Sequence, residues 1–183
     1  MKRLKDILVP TLALMLIAGV MTAALAGTNA LTKDEIKRQA DEISDAARRE
    51  VMVADEFRVA TVSVDGGETE YYEAVTSGKV TGFVFTTEAA GKSAGLTVMT
   101  GISADGKITG VKVTEQNETA GYVDKVVKAG FLKAFTNKEA REIKLNEQVD
   151  AVSQATKTSS GICKAVNKAI KVYQAVKGGV TVE

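Results

Sequence analysis

The chain has 183 residues, with 24 Lys+Arg against 23 Asp+Glu, one Cys, no His and no Trp. A formal charge of +1 lacks the basic excess of a nucleic-acid binder. With no His and only Cys163, the sequence has no common zinc or haem ligand set, no Ser-His or Cys-His catalytic arrangement and no CxxC pair. Any redox chemistry must then come from an organic cofactor.

Residues 7–32 carry no charge. Their most apolar part, residues 7–26, is long enough to cross about 30 Å of hydrocarbon as a helix. Lys2, Arg3 and Lys5 precede it, so the positive-inside rule places the N-terminus in the cytoplasm. The organisation expected is a cytoplasmic stretch at 1–6, a transmembrane helix at 7–31, a stalk helix at 32–55 and an exported domain at 56–183. Ala24-Leu25-Ala26 also has the A-x-A form of a cleavage site. A retained anchor and a cleaved signal therefore both stand, and both export the domain. No Cys lies near the end of the apolar run, which excludes a lipoprotein. Without Lys2, Arg3, Lys5 and Asp6 the remainder is near neutral and sets up no strong steering field.

Thr32 and Glu35 have capping-box spacing, and Ile36, Ala40, Ile43, Ala47 and Val51 follow as one apolar stripe. Such a stripe suits a helix lying on the domain or on a neighbour. From Phe57 the period changes to two. Strands are expected over 57–64, 70–75, 80–86, 96–102 and 107–114, with turns at Asp65-Gly66-Gly67 and Ala104-Asp105-Gly106. A helix is expected over 123–135, where Val126, Val127, Phe131 and Phe135 make a broad apolar face. A short strand at Ile143 and Leu145 comes next. The last helix is expected over 159–176, with Ile162, Val166, Ile170 and Tyr173 as its stripe and Cys163 packed beside it. The pattern predicts an α+β fold: an antiparallel sheet with flanking helices, preceded by one N-terminal transmembrane helix.

Ser153, Thr156, Thr158, Ser159 and Ser160 crowd together just ahead of that last helix. Hydroxyls at a helix start commonly accept hydrogen bonds from its unpaired N–H groups. The same N–H groups and the helix dipole attract a phosphate. Taken alone, the segment reads either as a set of caps or as a site that bears a phosphoryl group.

Ser153-Gln154-Ala155-Thr156-Lys157-Thr158-Ser159, with Asp150 three residues ahead, resembles the D-x-x-S-G-A-T-x-T-S signature of the FMN-binding domain. That family includes the G subunit of Rnf complexes and the C subunit of the sodium-translocating NADH:quinone oxidoreductase. Gly106-Lys107-Ile108-Thr109-Gly110-Val111-Lys112-Val113 is similar to the family's D-G-K-I-x-G-V-x-V hairpin. Glu118-Thr119-Ala120-Gly121 stands where the family has E-T-P-G. Three departures are plain: Gln154 replaces Gly, Ala120 replaces Pro, and Tyr122-Val123 replaces Leu-Gly.

The resemblance implies FMN joined to Thr156 through a phosphoester by a dedicated flavin transferase. Ser153, Ala155, Thr158, Ser159, Glu118, Thr119 and Gly121 then lie about the cofactor, with no catalytic residue and no metal. From the residues alone, Glu118 fits a solvated charge rather than an acid catalyst, Thr119 and Gly121 a strand end and helix start, and Tyr122 either a ring stacked on the flavin or a core aromatic. The resemblance also implies the function: a membrane-anchored flavoprotein subunit of an Rnf-type ion-translocating ferredoxin:NAD+ oxidoreductase. It would carry electrons among the other membrane and redox subunits from the outer face of the cell membrane. The quinone-reducing relative, a stand-alone extracellular electron-transfer flavoprotein and a cofactor-free exported adaptor are the alternatives.

Overall fold

The computed structural model describes residues 2–92, 95–116, 118 and 120–178. The chain divides into two compact units, one ending at Ile43 and one beginning at Ser44. Helix α1 spans Lys2–Val51.

In the first unit, Pro10–Lys33 is long and apolar enough to cross a membrane. Leu12, Leu14, Leu16, Ile17, Val20 and Leu25 are all exposed. Together with the exposed Met15 they are spread around the helix, the pattern of a helix whose surroundings are themselves apolar. The expected capping box at Thr32 and Glu35 does not form. Thr32 Oγ1 instead donates to the Thr28 carbonyl at 2.9 Å, inside an unbroken helix, and Glu35 pairs with Arg38 at 2.6 Å. A helix already propagating gains a bond per residue, so a hydroxyl alone does not stop it. Of the predicted stripe, Ile43 is exposed, while the side chains of Ile36 and Ala40 lie outside the described set.

The second unit is built on a five-stranded antiparallel meander in sequence order. Its strands are β1 (Glu56–Val64), β2 (Gly67–Thr76), β3 (Lys79–Ala89), β4 (Leu96–Ser103) and β5 (Ile108–Gln116). The β1–β2 turn places Asp65 at φ 54° and Gly66 at φ 80°. Two left-handed residues in a row match the twist of the strands they join.

Alternation along the strands sends side chains to two different layers. Tyr71, Phe83, Phe85, Leu96, Val98 and Ile102 face the large core beneath the C-terminal helix. Ala74, Val84 and Met99 face the other way and pack with Ala47, Val51, Met52 and Ala54 at the end of α1. That end lies on a glycine pair, Gly101 opposite Gly110. A Cβ on Gly110 would stand 2.8 Å from the Val51 Cα, and one on Gly101 would stand 2.5 Å from the Val51 carbonyl oxygen. Thr109, the extra residue where the β4–β5 register shifts, donates its hydroxyl to that carbonyl at 2.5 Å. The bulge thus supplies a donor to a helix end that needs one.

After the sheet comes α2 (Tyr122–Lys128), then a 3₁₀ turn (Phe131–Phe135). One helix was expected over 123–135; Gly130, at φ 74°, splits it, its N–H returning to the Val127 carbonyl at 3.0 Å. The predicted short strand is also absent, and Leu145 makes only an isolated bridge to Val149. Ile143 is held by a side chain rather than by a strand. Its N–H donates to Asn167 Oδ1 at 2.9 Å, and its carbonyl accepts from Asn167 Nδ2 at 2.8 Å.

Helix α3 (Thr156–Lys177) closes the large core and begins three residues earlier than the apolar stripe suggested. It is joined to β3 by Thr87, whose hydroxyl donates to the Ala165 carbonyl at 2.9 Å. Cys163 is buried on α3 with its thiol donating to the Ile143 carbonyl at 3.3 Å, and burial pushes that thiol up, away from the reactive thiolate form.

Candidate functional site

The hydroxyl segment forms the corner where the chain enters α3. Ala155 is the N-cap, and no side chain caps the helix. The capping role expected of these hydroxyls is therefore not taken up, because Thr158 and Ser159 lie inside the helix and turn elsewhere. Ser159 Oγ donates to the Ala155 carbonyl at 3.1 Å and accepts from the Val152 N–H at 3.1 Å, bracing the corner from within. Thr158, fully buried, donates to Glu118 Oε2 at 3.0 Å. Thr156 is the first helical residue and is exposed, as is Ser153. Ala155 is buried.

Gln154 has φ 64°. A left-handed residue is what swings the chain round so that Thr156 lies at the helix start. At that position the motif ordinarily has glycine, which takes this conformation without strain. Here Lys125 Nζ holds the Gln154 side chain, donating to Oε1 at 3.2 Å.

A cavity of about 250 Å³ opens at this corner, lined by Lys92, Tyr122, Gln154, Ala155, Thr156, Lys157 and Thr158. Three stretches far apart in sequence converge there: the β3–β4 loop, the start of α2 and the start of α3. The first and third are pressed together by glycines, since a Cβ on Gly161 would stand 2.8 Å from the Gly91 Cα. Glu118 fills the space next to Gly91, where an added Cβ would meet its Oε1 at 2.7 Å. Gly121, at φ 86°, caps α2 and sets Tyr122 on the cavity wall. Thr119 lies outside the described residues.

Lys92 Nζ donates to the Tyr122 hydroxyl at 2.6 Å and stands 3.9 Å from the centre of its ring. That hydrogen bond, and then the Lys92 charge, hold the Tyr122 hydroxyl below the ordinary tyrosine range, with Lys125 adding to the effect and burial opposing it. Lys92, Lys125 and Lys157 were absent from the sites expected at Ser153, Ala155, Thr156, Thr158, Ser159, Glu118, Thr119 and Gly121, and Tyr122 was considered only as a ring that stacks on the flavin or lies in the core. No local pattern marks Lys92 or Lys125, because long-range folding alone brings them to this corner.

The arrangement suits a phosphate ester of an aromatic ring system. An exposed hydroxyl is presented at a helix N-terminus without a side-chain cap, where the dipole favours an anion. Ammonium groups and a phenol ring stand close by. At about 250 Å³ the cavity is smaller than the roughly 300–1,000 Å³ that encloses a dissociable ligand, so a bond to the protein has something to add.

Residues 91–171 match the FMN-binding domain, and residues 1–51 match the RnfG N-terminal region. The G subunit of the Na(+)-translocating ferredoxin:NAD(+) oxidoreductase complex of Acetobacterium woodii is 32% identical over 186 residues, covering 89% of each chain. The G subunit of the ion-translocating oxidoreductase complex of Methanosarcina acetivorans is 29% identical, over 95% of this chain and 98% of that one. The crystal structure of Shewanella oneidensis NqrC shares the fold, with a TM-score of 0.54 and 21% identity over 73% of each chain. The chain belongs to the RnfG family, the G subunits of ion-translocating ferredoxin:NAD(+) oxidoreductase complexes, and carries their FMN-binding domain.

Proposed function

We propose that this protein is the covalent FMN carrier of such a complex, anchored by the Pro10–Lys33 segment with its flavin domain on the outer face of the membrane. The carrying observation is Thr156, an exposed hydroxyl on the first turn of a helix without a side-chain cap, inside the matched FMN-binding region. In attachment, the Thr156 Oγ1–P bond would form as the P–O bond joining FMN to the rest of its activated donor breaks, the leaving group departing with the electron pair and the hydroxyl proton passing to a base of the flavin transferase. The transferase would supply both the activated donor and that base, since none of the described residues lining the cavity beside Thr156 is a carboxylate or a histidine. Bound FMN supplies the electron transfer. The chain's own residues anchor the phosphate at the α3 N-terminus, brace the corner through Ser159 and set a cationic wall at Lys92. Basic residues ahead of the span put the N-terminus in the cytoplasm. The remaining membrane and redox subunits deliver and remove the electrons.

Intact mass of the subunit from native membranes tests this, together with ultraviolet fluorescence of its denaturing-gel band. The expected result is a mass raised by one FMN less one water and a fluorescent band, both lost in Thr156→Ala. An unmodified mass, or a fluorescent Thr156→Ala band, overturns it.

A further inference from the structure

Lys92 and Tyr122 lie outside the hydroxyl motif, yet they form the wall of the cavity that Thr156 shares. Lys92 follows Gly91, whose Cα is pressed against α3 at Gly161, so the root of its side chain is fixed relative to the helix that bears Thr156. The ammonium donates to the Tyr122 hydroxyl at 2.6 Å and covers the ring at 3.9 Å. The carboxylate of Glu118 accepts from Thr158 on the inner side of the corner. Of the seven described lining residues two are lysines, Lys92 and Lys157, and none of the seven is acidic. A cation bonded to a half-buried phenol, beside an aromatic face and the exposed Thr156 hydroxyl, is arranged to receive a flat ring with acceptor atoms along one edge.

We propose that Lys92 and Tyr122 receive the ring system of the FMN carried on Thr156, with the Lys92 ammonium donating to the carbonyl-bearing edge of that ring. This rests on the covalent-FMN reading. The flavin acceptor takes the place of the Tyr122 hydroxyl on Lys92, so one exposed hydrogen bond is exchanged for another of the same kind. The Tyr122 ring packs against the flavin and keeps water from that side. Because the reduced ring is richer in electrons, a fixed positive charge at its edge favours it and raises its potential. Lys157, by contrast, stands on the phosphate side, next to the attachment point.

The test compares the full-length wild type with Lys92→Met and Lys92→Arg, all produced in a host that attaches the flavin. Flavin load is read by intact mass, ring exposure by iodide quenching of flavin fluorescence, and midpoint potential by spectroelectrochemical titration. Full load in all three, with Lys92→Met shifted to lower potential and more strongly quenched and Lys92→Arg restored toward wild type, supports the proposal. A fully loaded Lys92→Met at the wild-type potential overturns it, because Lys92 then reaches only the phosphate or solvent. Loss of load in Lys92→Met also overturns it and makes Lys92 a determinant of attachment. An unloaded wild type overturns the covalent reading and this inference together.

Discussion

Gly161 offers a test in which two physical effects predict opposite signs. It lies in the second turn of α3, and glycine inside a helix is less favourable than alanine by about 1 kcal/mol. Propensity alone therefore predicts that Gly161→Ala stabilises the protein by about that amount. Space predicts the reverse. An added Cβ would stand 2.8 Å from the Gly91 Cα, 2.9 Å from the Ala90 carbonyl oxygen and 3.0 Å from Leu96 Cδ1. Favourable contact between carbons begins near ~3.5 Å, and the two closest atoms are backbone, which cannot rotate aside. Retreat is opposed by the Thr87–Ala165 hydrogen bond, which holds β3 to α3 one turn further along. Overpacking of this kind costs about 3 kcal/mol at the upper end of its usual range. After the propensity gain, a net loss of about 2 kcal/mol remains, or a fall in Tm of about 6–8 °C. The assay is thermal unfolding of the full chain in detergent, followed by near-ultraviolet circular dichroism of the cluster around Tyr71, Phe83, Phe85 and Tyr173. Gly67→Ala, whose new Cβ would find nothing nearer than 3.8 Å, is the control. A rise in Tm for Gly161→Ala refutes the close approach, and with it the fixed placement of Lys92.

Gln154→Gly relieves a left-handed non-glycine residue at φ 64°. Relief of about 1–2 kcal/mol is offset by glycine's greater chain entropy and by the lost Lys125 bond, so urea unfolding should show a gain of about 0.5 kcal/mol. A loss above about 1 kcal/mol means the Lys125 bond dominates. Thr158→Val removes a hydroxyl bonded to Glu118 at 3.0 Å while keeping the shape of the side chain, and should cost about 1–2 kcal/mol. A double-mutant cycle with Glu118→Leu, which leaves no acceptor, reads the coupling directly, and additivity of the two changes counts against the bond. Alkaline titration of phenolate absorbance should resolve Tyr122 below the ordinary tyrosine range and Tyr71, Tyr72 and Tyr173 above it, the latter three raised mainly by burial. Tyr71, Tyr72 and Tyr173 favour folding while neutral, so their contribution holds at neutral pH and is lost as pH rises through their raised values. Tyr122 has the opposite sign: its contribution is present above the unfolded tyrosine value and lost as pH falls through its lowered one. Lys92→Met should merge the early step into the main transition, and an unchanged curve refutes the Lys92–Tyr122 contact.

The strands were legible because period two and their turn residues agreed. Asp65-Gly66 and Asp105-Gly106 both mark turns between strands, and four of the five predicted strands start within a residue of the observed ones, while β2 begins at Gly67, three residues before its expected start. Element ends were harder wherever a long-range contact decided them. Gly130 divides what periodicity joins, because Val126, Phe131 and Phe135 share one core whether or not the helix between them is continuous. Ile143 resembled a strand residue because it is apolar and buried, but its backbone is satisfied by Asn167, a partner 24 residues away that no local pattern announces. Thr32 resembled a helix start because capping chemistry is local, whereas continuation of α1 depends on the helix already formed before it.

The same distinction separates what could be read of the site from what could not. A run of hydroxyls at a helix start carries the same signature whether they cap the helix or leave it open, since both uses need Ser and Thr near N–H groups. What decides between them is where the hydroxyls turn. Ser159 turns back to the corner that leads into the helix, and Thr158 turns to a carboxylate 40 residues earlier in the chain. With those two engaged, Thr156 remains outward at an end that no side chain caps. The Glu118–Thr158 bond also explains why two short stretches far apart in sequence belong to one site: it ties the loop before α2 to the first turn of α3. Tyr122, four residues after Glu118, is thereby brought to the same cavity as Thr156. Gln154 acts from the other side of the corner. A residue with a side chain occupies the left-handed position that turns the chain into α3, and Lys125 holds that side chain in place, so the corner turns without the glycine of the signature it resembles.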